Sequence, residues 1–158
     1  MKLLVDQKVA YLLGRPPVIS AEDEQFAEQL NALLDETWDD RLQELAKNAS
    51  NKGAEWLMPF VDGVGNFRYV IVPAEQCIPI YETDYEEELV AMLRYYPAVV
   101  GGETKTRAEW WTAEGVSTYI EAKAGVYKLE SEDGHFLMNG TPMGWGRVPF
   151  VEFANNVD

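Results

Sequence analysis

Cysteine and histidine are almost absent: Cys77 and His135 stand alone among 158 residues, and carboxylates outnumber cations two to one. Each scarcity removes a class of function. A single cysteine cannot close an intramolecular disulfide, and with one histidine it cannot build a Cys- or His-rich zinc site. The near absence of thiols fits a reducing compartment. Lys and Arg number 13 against 27 Asp and Glu, a formal net charge of −14. Free association with DNA needs a basic face that neutralises phosphates, so the balance argues against it. Docking on anionic lipid fails on the same ground. No apolar stretch approaches the roughly 18 residues needed to span a bilayer. The opening MKLLVDQKVAYLL resembles a signal peptide only until Asp6, Gln7 and Lys8 interrupt it, and no small-residue cleavage site follows. The chain reads as soluble and cytosolic, with no membrane partner.

Apolar residues make up 47% and aromatics 12%, enough for a globular core. The expectation is one α+β domain over 1–158, helical to about residue 53 and strand-rich from 54 to 158. Leu4, Val5, Val9, Leu12 and Leu13 recur at helical spacing and stop at Gly14-Arg15-Pro16-Pro17. Ser20 with Asp23 reads as a capping box ahead of Phe26, Leu30, Leu33 and Leu34. Thr37 with Asp40 repeats the signal ahead of Trp38, Leu42, Leu45 and Ala49, and Gly53 closes the third helix.

From Ala54 the period becomes two. WLMPFV and FRYVIV flank Asp62-Gly63-Val64-Gly65-Asn66, a hairpin with a glycine-rich turn. Gln76 to Tyr81 resumes as a strand whose Pro79 suits an edge. Glu88 to Tyr96 reads as strand with Pro97 behind it. Lys105–Ala113, Val116–Lys123 and Val126–Glu130 form an antiparallel meander. Ser131 to Gly146 reads as polar and irregular, and RVPFVEF as the last strand. The class is α+β, amphipathic helices followed by a mostly antiparallel sheet.

Candidate chemistry is thin. Asp84, Glu86, Glu87 and Glu88 could hold a cation, but consecutive carboxylates in extended chain alternate between faces and lack the spaced glycine of a calcium loop. A solvated turn between strands is the better reading. His135, in Glu132-Asp133-Gly134-His135, reads as a surface turn residue, and no nucleophile elbow frames it. Cys77 reads as a half-buried strand residue without an imidazole partner. The glycines of Asp62–Asn66 precede a strand rather than a helix, so they are no dinucleotide fingerprint. Gly140-Thr141-Pro142-Met143-Gly144-Trp145-Gly146 lacks the lysine of a phosphate loop and reads as an irregular crossover. Trp110-Trp111 lies in a strand, so one indole of the pair should face away from the core. The pair is the candidate subunit contact. No catalytic, metal or cofactor residue emerges, and the chain reads as no enzyme.

KLLVDQKVAYLLGRPP, WDDRLQELAKNASNKG, YVIVPAEQCIPIY and RVPFVEFANN, in that order, resemble the portal proteins of tailed bacteriophages and prophages, of the siphophage type. The resemblance implies a structural piece of the wing region of a portal subunit, excised from a longer chain. In that family the subunits form a ring, typically a dodecamer, at one capsid vertex. Double-stranded DNA passes through it during packaging and ejection, and the terminase motor, capsid or scaffold and head-completion proteins dock on it. The implied location is the virion, and the bacterial cytoplasm during assembly. No DNA-contacting residue is implied, because the stem and clip segments have no counterpart here. Two other classes stay in view: a metal-dependent nucleic-acid enzyme using Asp84, Glu86 and Glu88, and an acidic module that mimics DNA.

Overall fold

The computed structural model describes the chain apart from residues 1, 16, 18, 35, 84–87 and 156–158, and leaves aside the side chains of Lys2 and Glu36. Helices α1 (Lys2–Leu13), α2 (Glu24–Leu33) and α3 (Glu36–Lys52) come first. The strands follow: β1 (Ala54–Val61), β2 (Phe67–Val72), β3 (Cys77–Tyr81), β4 (Leu89–Val100), β5 (Glu103–Trp111), β6 (Val116–Lys123), β7 (Val126–Asp133), β8 (Phe136–Met138), β9 (Thr141–Met143) and β10 (Val151–Ala154). They form sheets of order β10-β1-β2, β3-β4-β5-β6-β7 and β8-β9, so the class is α+β. The chain divides into two compact units, Met1–Trp56 with Glu152–Asp158, and Leu57–Val151.

In the first unit α1 packs on α3. Val9 of the first apolar stripe and Leu45 and Ala49 of the third are buried. α1 is apolar on both sides, which leaves Leu3, Leu4, Tyr11 and Leu12 exposed. Asp23, not Ser20, caps α2: its carboxylate accepts from the backbone N–H groups of Gln25 and Phe26 at 2.9 and 3.1 Å. The geometry satisfies donors that the first helical turn leaves free. α3 ends as expected, with Gly53 at φ 95° donating to the Ala49 carbonyl. Beyond it Glu55 is fully buried, with one carboxylate oxygen 3.0 Å from Lys52 Nζ. A buried charge without such a partner would be costly.

The second unit is built on the five-stranded antiparallel sheet. Pro79 sits on its edge strand, as expected. Pro97 does not end β4, which continues to Val100. β3 pairs with β4 only between Leu89 and Arg94, so at Pro97 the strand has a neighbour on one flank alone. That is the edge setting a proline tolerates. Gly101 and Gly102, at φ 62° and 83°, then close a two-residue hairpin with Val100 opposite Glu103. The segment expected to be irregular is more ordered than its composition suggested. β7 runs on to Asp133, and β8 and β9 pair through Met138 and Thr141. The last strand begins at Val151 rather than Arg147.

Candidate functional site

Antiparallel register divides the side chains of the five-stranded sheet between two faces with different chemistry. On one face Met92 lies opposite Trp111, Arg94 opposite Glu109 and Tyr96 opposite Arg107. On the other Leu93 lies opposite Trp110, and Tyr95 opposite Ala108. The neighbouring tryptophans therefore separate, as a period of two demands.

The first face carries a closed polar network. Glu109, only 9% exposed, accepts from Tyr96 Oη at 2.6 Å and from Trp111 Nε1 at 3.1 Å. Arg94 reaches the same carboxylate at 3.4 Å and lays its guanidinium 4.3 Å from the centre of the Tyr96 ring. Farther along, Arg107 pairs with Glu130 at 2.8 Å. Burial, and then donation to Glu109, holds the Tyr96 hydroxyl above the ordinary phenol range, so it stays protonated. Both oxygens of Glu109 are engaged by donors, leaving no free base beside a nucleophile. The arrangement fixes β4 against β5.

Trp111 belongs to this interior. Its indole stacks on His135 with ring centres 5.7 Å apart and meets Phe150 edge-on at 5.6 Å. His135 is therefore not the surface residue expected from its turn-like sequence: it is 9% exposed. The Trp145 backbone N–H donates to His135 Nδ1 at 3.1 Å, which places the ring proton on Nε2. Nε2 is itself buried and makes no well-formed hydrogen bond. Burial lowers the imidazole pKa, against smaller opposing effects of the Gly115 and Thr112 carbonyls and Glu114. The ring is a neutral structural element.

Around His135, backbones approach without side chains between them. A Cβ on Gly144 would lie 2.7 Å from the carbonyl oxygens of both Ala113 and Glu114. One on Gly134 would lie 2.6 Å from Met143 N, and one on Gly115 would collide with the Asp133 carbonyl. Within the 140–146 segment Gly144 thus serves close packing of a hairpin foot, while Gly140 and Gly146 supply positive φ, and no phosphate cradle is formed by a strand–helix turn here.

The second face is open. Ile78, Tyr95, Val99, Tyr127 and Leu129 are exposed on it, and Trp110 is 38% exposed. Of the tryptophan pair, Trp110 is the one on the open face.

The carboxylate segment lies in the connection between β3 and β4. Asp84, Glu86 and Glu87 fall outside the described residues; Glu88 is exposed, and its carbonyl accepts from Glu82 N–H at 2.9 Å. Cys77 is half-buried in β3. Asp62 organises the β1–β2 turn, accepting from the N–H groups of Val64 and Asn66 at 3.1 and 2.9 Å. Those bonds, the one from Asn66 foremost, hold its carboxyl below the usual range. Among the described residues no three His, Cys, Asp or Glu side chains converge as a metal site would need. None of the described helices is long and apolar enough to cross a membrane. The network of Arg94, Tyr96 and Glu109 had no separate sequence signal, because the pairing of Arg94 with Glu109 exists only once the register is known.

Comparison with known proteins gives a consistent result. A family model described as "Phage portal protein, SPP1 Gp6-like" matches residues 1–158. The chain is 41% identical to the portal protein of Bacillus phage SPP1 over 98% of its own length and 32% of that protein's. It is 31% identical to the portal protein of Clostridium phage phiCD119, over 99% of this chain and 37% of the relative. The chain therefore spans about a third of the length of these curated relatives.

Proposed function

Because the chain belongs to the SPP1 Gp6-like phage portal protein family, we propose that it is a structural part of a portal ring, the capsid-vertex channel for DNA packaging and ejection. The observation that carries this reading is the match over the whole of residues 1–158, with relatives covering 98% and 99% of the chain. The polar groups of the sheet support it: they are spent on holding strands together, as a scaffold requires. No catalytic role is assigned to any side chain.

The matched region serves in this proposal as a wing-type α+β body within a longer subunit. Neighbouring subunits, the terminase motor, capsid or scaffold and head-completion proteins meet the ring, and double-stranded DNA passes through it. Its working location is the virion, after assembly in the host cytoplasm. Trp110 is the contact residue of the tryptophan pair, while Trp111 serves the interior.

A chimera tests the proposal. Replacing the matched third of the phage SPP1 portal protein with this chain should give rings in negative-stain electron microscopy and restore DNA packaging. Soluble, folded chimeras that never close into rings would refute it. The isolated chain should sediment as a monomer or a weak associate, because heterologous ring contacts need both complementary faces. A stable ring of this chain alone in sedimentation velocity would overturn that expectation.

A further inference from the structure

The open face of the five-stranded sheet combines an apolar centre with an uncompensated acidic rim. Cross-strand pairing runs Ile78, Leu93, Trp110, Ser117 and Glu132 in one row, and Tyr95, Ala108, Tyr119 and Leu129 in the next. The first row ends in a cleft of about 370 Å³ lined by Trp110, Ser117, Glu114, Glu132 and Asp133, with Gly115 and Gly134 at its wall. No lysine, arginine or histidine lines it. Glu114, Glu132 and Asp133 are exposed, and none is ion-paired among the described residues. On the opposite face, by contrast, Arg94 and Arg107 are matched to Glu109 and Glu130.

From this geometry we propose that the open face docks a protein segment from outside this chain that presents an arginine or lysine between apolar residues. The apolar flanks cover Tyr95, Tyr119 and Leu129, and the cation enters the cleft between the Trp110 indole and two of its carboxylates, Glu132 in the row of Trp110 and Glu114 in the adjoining turn. An indole beside unpaired carboxylates attracts a cation through both its π-face and direct charge. The same charge disfavours other occupants. A second copy of this same face carries the same acidic rim, so two such faces repel each other when paired. Nucleic acid is repelled likewise. The inference builds on Trp110 as a contact residue, and its test does not depend on ring assembly.

The test is a titration of the isotopically labelled chain with the peptide Ser-Gly-Leu-Arg-Phe-Gly-Ser, read by amide and indole chemical shifts. Two control peptides carry norleucine or glutamate in place of arginine. The expected result is shift changes confined to the Trp110 indole and to β4, β5, β6 and the Thr112–Gly115 turn. Affinity should fall at least tenfold for either control peptide. Glu114→Gln and Glu132→Gln combined should weaken binding about tenfold, and both positions are exposed, so the fold is spared. Removing two exposed charges from the other unit, by Glu22→Gln and Glu28→Gln, should change affinity less than twofold. Equal weakening by both double variants would show general attraction to an acidic protein and overturn the proposal. Absence of any shift at the Trp110 indole would do the same. Concentration-dependent self-association abolished by Trp110→Ala would assign the face to a second copy instead.

Discussion

Removing the Glu109 carboxylate should open the β4–β5 pairing, and the size of the effect follows from what the carboxylate satisfies. Glu109→Ala strands the Tyr96 hydroxyl and the Trp111 indole N–H, which donate at 2.6 and 3.1 Å. Each buried donor left without an acceptor costs about 1–3 kcal/mol. Arg94 is less affected. Its side chain is 19% exposed, and it keeps the Tyr96 ring and a long contact of 3.5 Å to Gln76. With screening by solvent its share is about 1 kcal/mol or less. The expected total is therefore about 2–5 kcal/mol, its upper end below the simple sum because water can enter the vacated space. Glu109→Gln keeps one acceptor oxygen but turns an NH2 toward donors, and should cost about half as much. Tyr96→Phe removes one of the stranded donors, so a cycle of Glu109→Ala with Tyr96→Phe should show coupling of about 1–3 kcal/mol. Hydrogen exchange of β4 and β5 amides under native conditions is the suitable assay, because the two compact units need not open together. A loss below about 1 kcal/mol, or coupling indistinguishable from zero, would refute the network as a source of stability.

Acid should loosen the second unit through His135. Its pKa is lowered in the folded chain, so the stability it contributes is fully present above the unfolded imidazole pKa and is lost as pH falls through the folded one. Exchange protection of the Trp145 N–H, which donates to the neutral Nδ1, should drop over that window, and His135→Gln should flatten the pH response. Trp111→Ala should cost about 3–5 kcal/mol in urea unfolding, while Trp110→Ala should cost half as much or less, because its indole is already partly in water. Equal losses would contradict the division of the pair. Gly144→Ala should cost at least about 1–3 kcal/mol, since its Cβ meets two backbone carbonyls that cannot step aside. Gly63→Ala, with nothing within 4 Å and no left-handed backbone, should stay within about 0.5 kcal/mol in the same melts.

The helices and the meander were legible because their signals are local. Leu42, Leu45 and Ala49 define a stripe whichever partner covers it, and Gly53 ends α3 by its own backbone freedom. The errors arose where a local signal competed with an unseen neighbour. Ser20 and Asp23 can both cap a helix, and only the structure shows which carbonyl begins the hydrogen-bond ladder. Pro97 looked like a terminator because a proline removes a ladder donor, yet the short reach of β3 left a flank where none was needed. The β8–β9 hairpin carried the expected Asn-Gly signal at Asn139-Gly140, with both residues at positive φ. The polar and glycine-rich surroundings masked it.

His135 shows why interior chemistry is harder to read than fold. Its neighbours Glu132, Asp133 and Gly134 are turn formers, and propensity alone places such a residue at the surface. What buries it is non-local: Trp111 from β5 stacks on the ring, and the Trp145 N–H comes from the far side of β9. The three glycines that let these backbones meet, Gly115, Gly134 and Gly144, are about ten residues or more apart in pairs and look like ordinary turn glycines one at a time. Their common role appears only when Gly144 is seen against Ala113 and Glu114, and Gly115 against Asp133. The parting of the two tryptophans was legible for the opposite reason. Strand alternation alone requires Trp110 and Trp111 to part, and the register decides which of them joins Glu109 inside. A single-residue slip in β5 would exchange them, burying Trp110 and withdrawing the indole from the acidic cleft. The pairing of Arg94 with Glu109 resists that slip, because it would move the carboxylate, together with Trp111, to the open face and strand Tyr96 and Arg94. The interior network thus fixes the register that leaves the Trp110 indole on the open face.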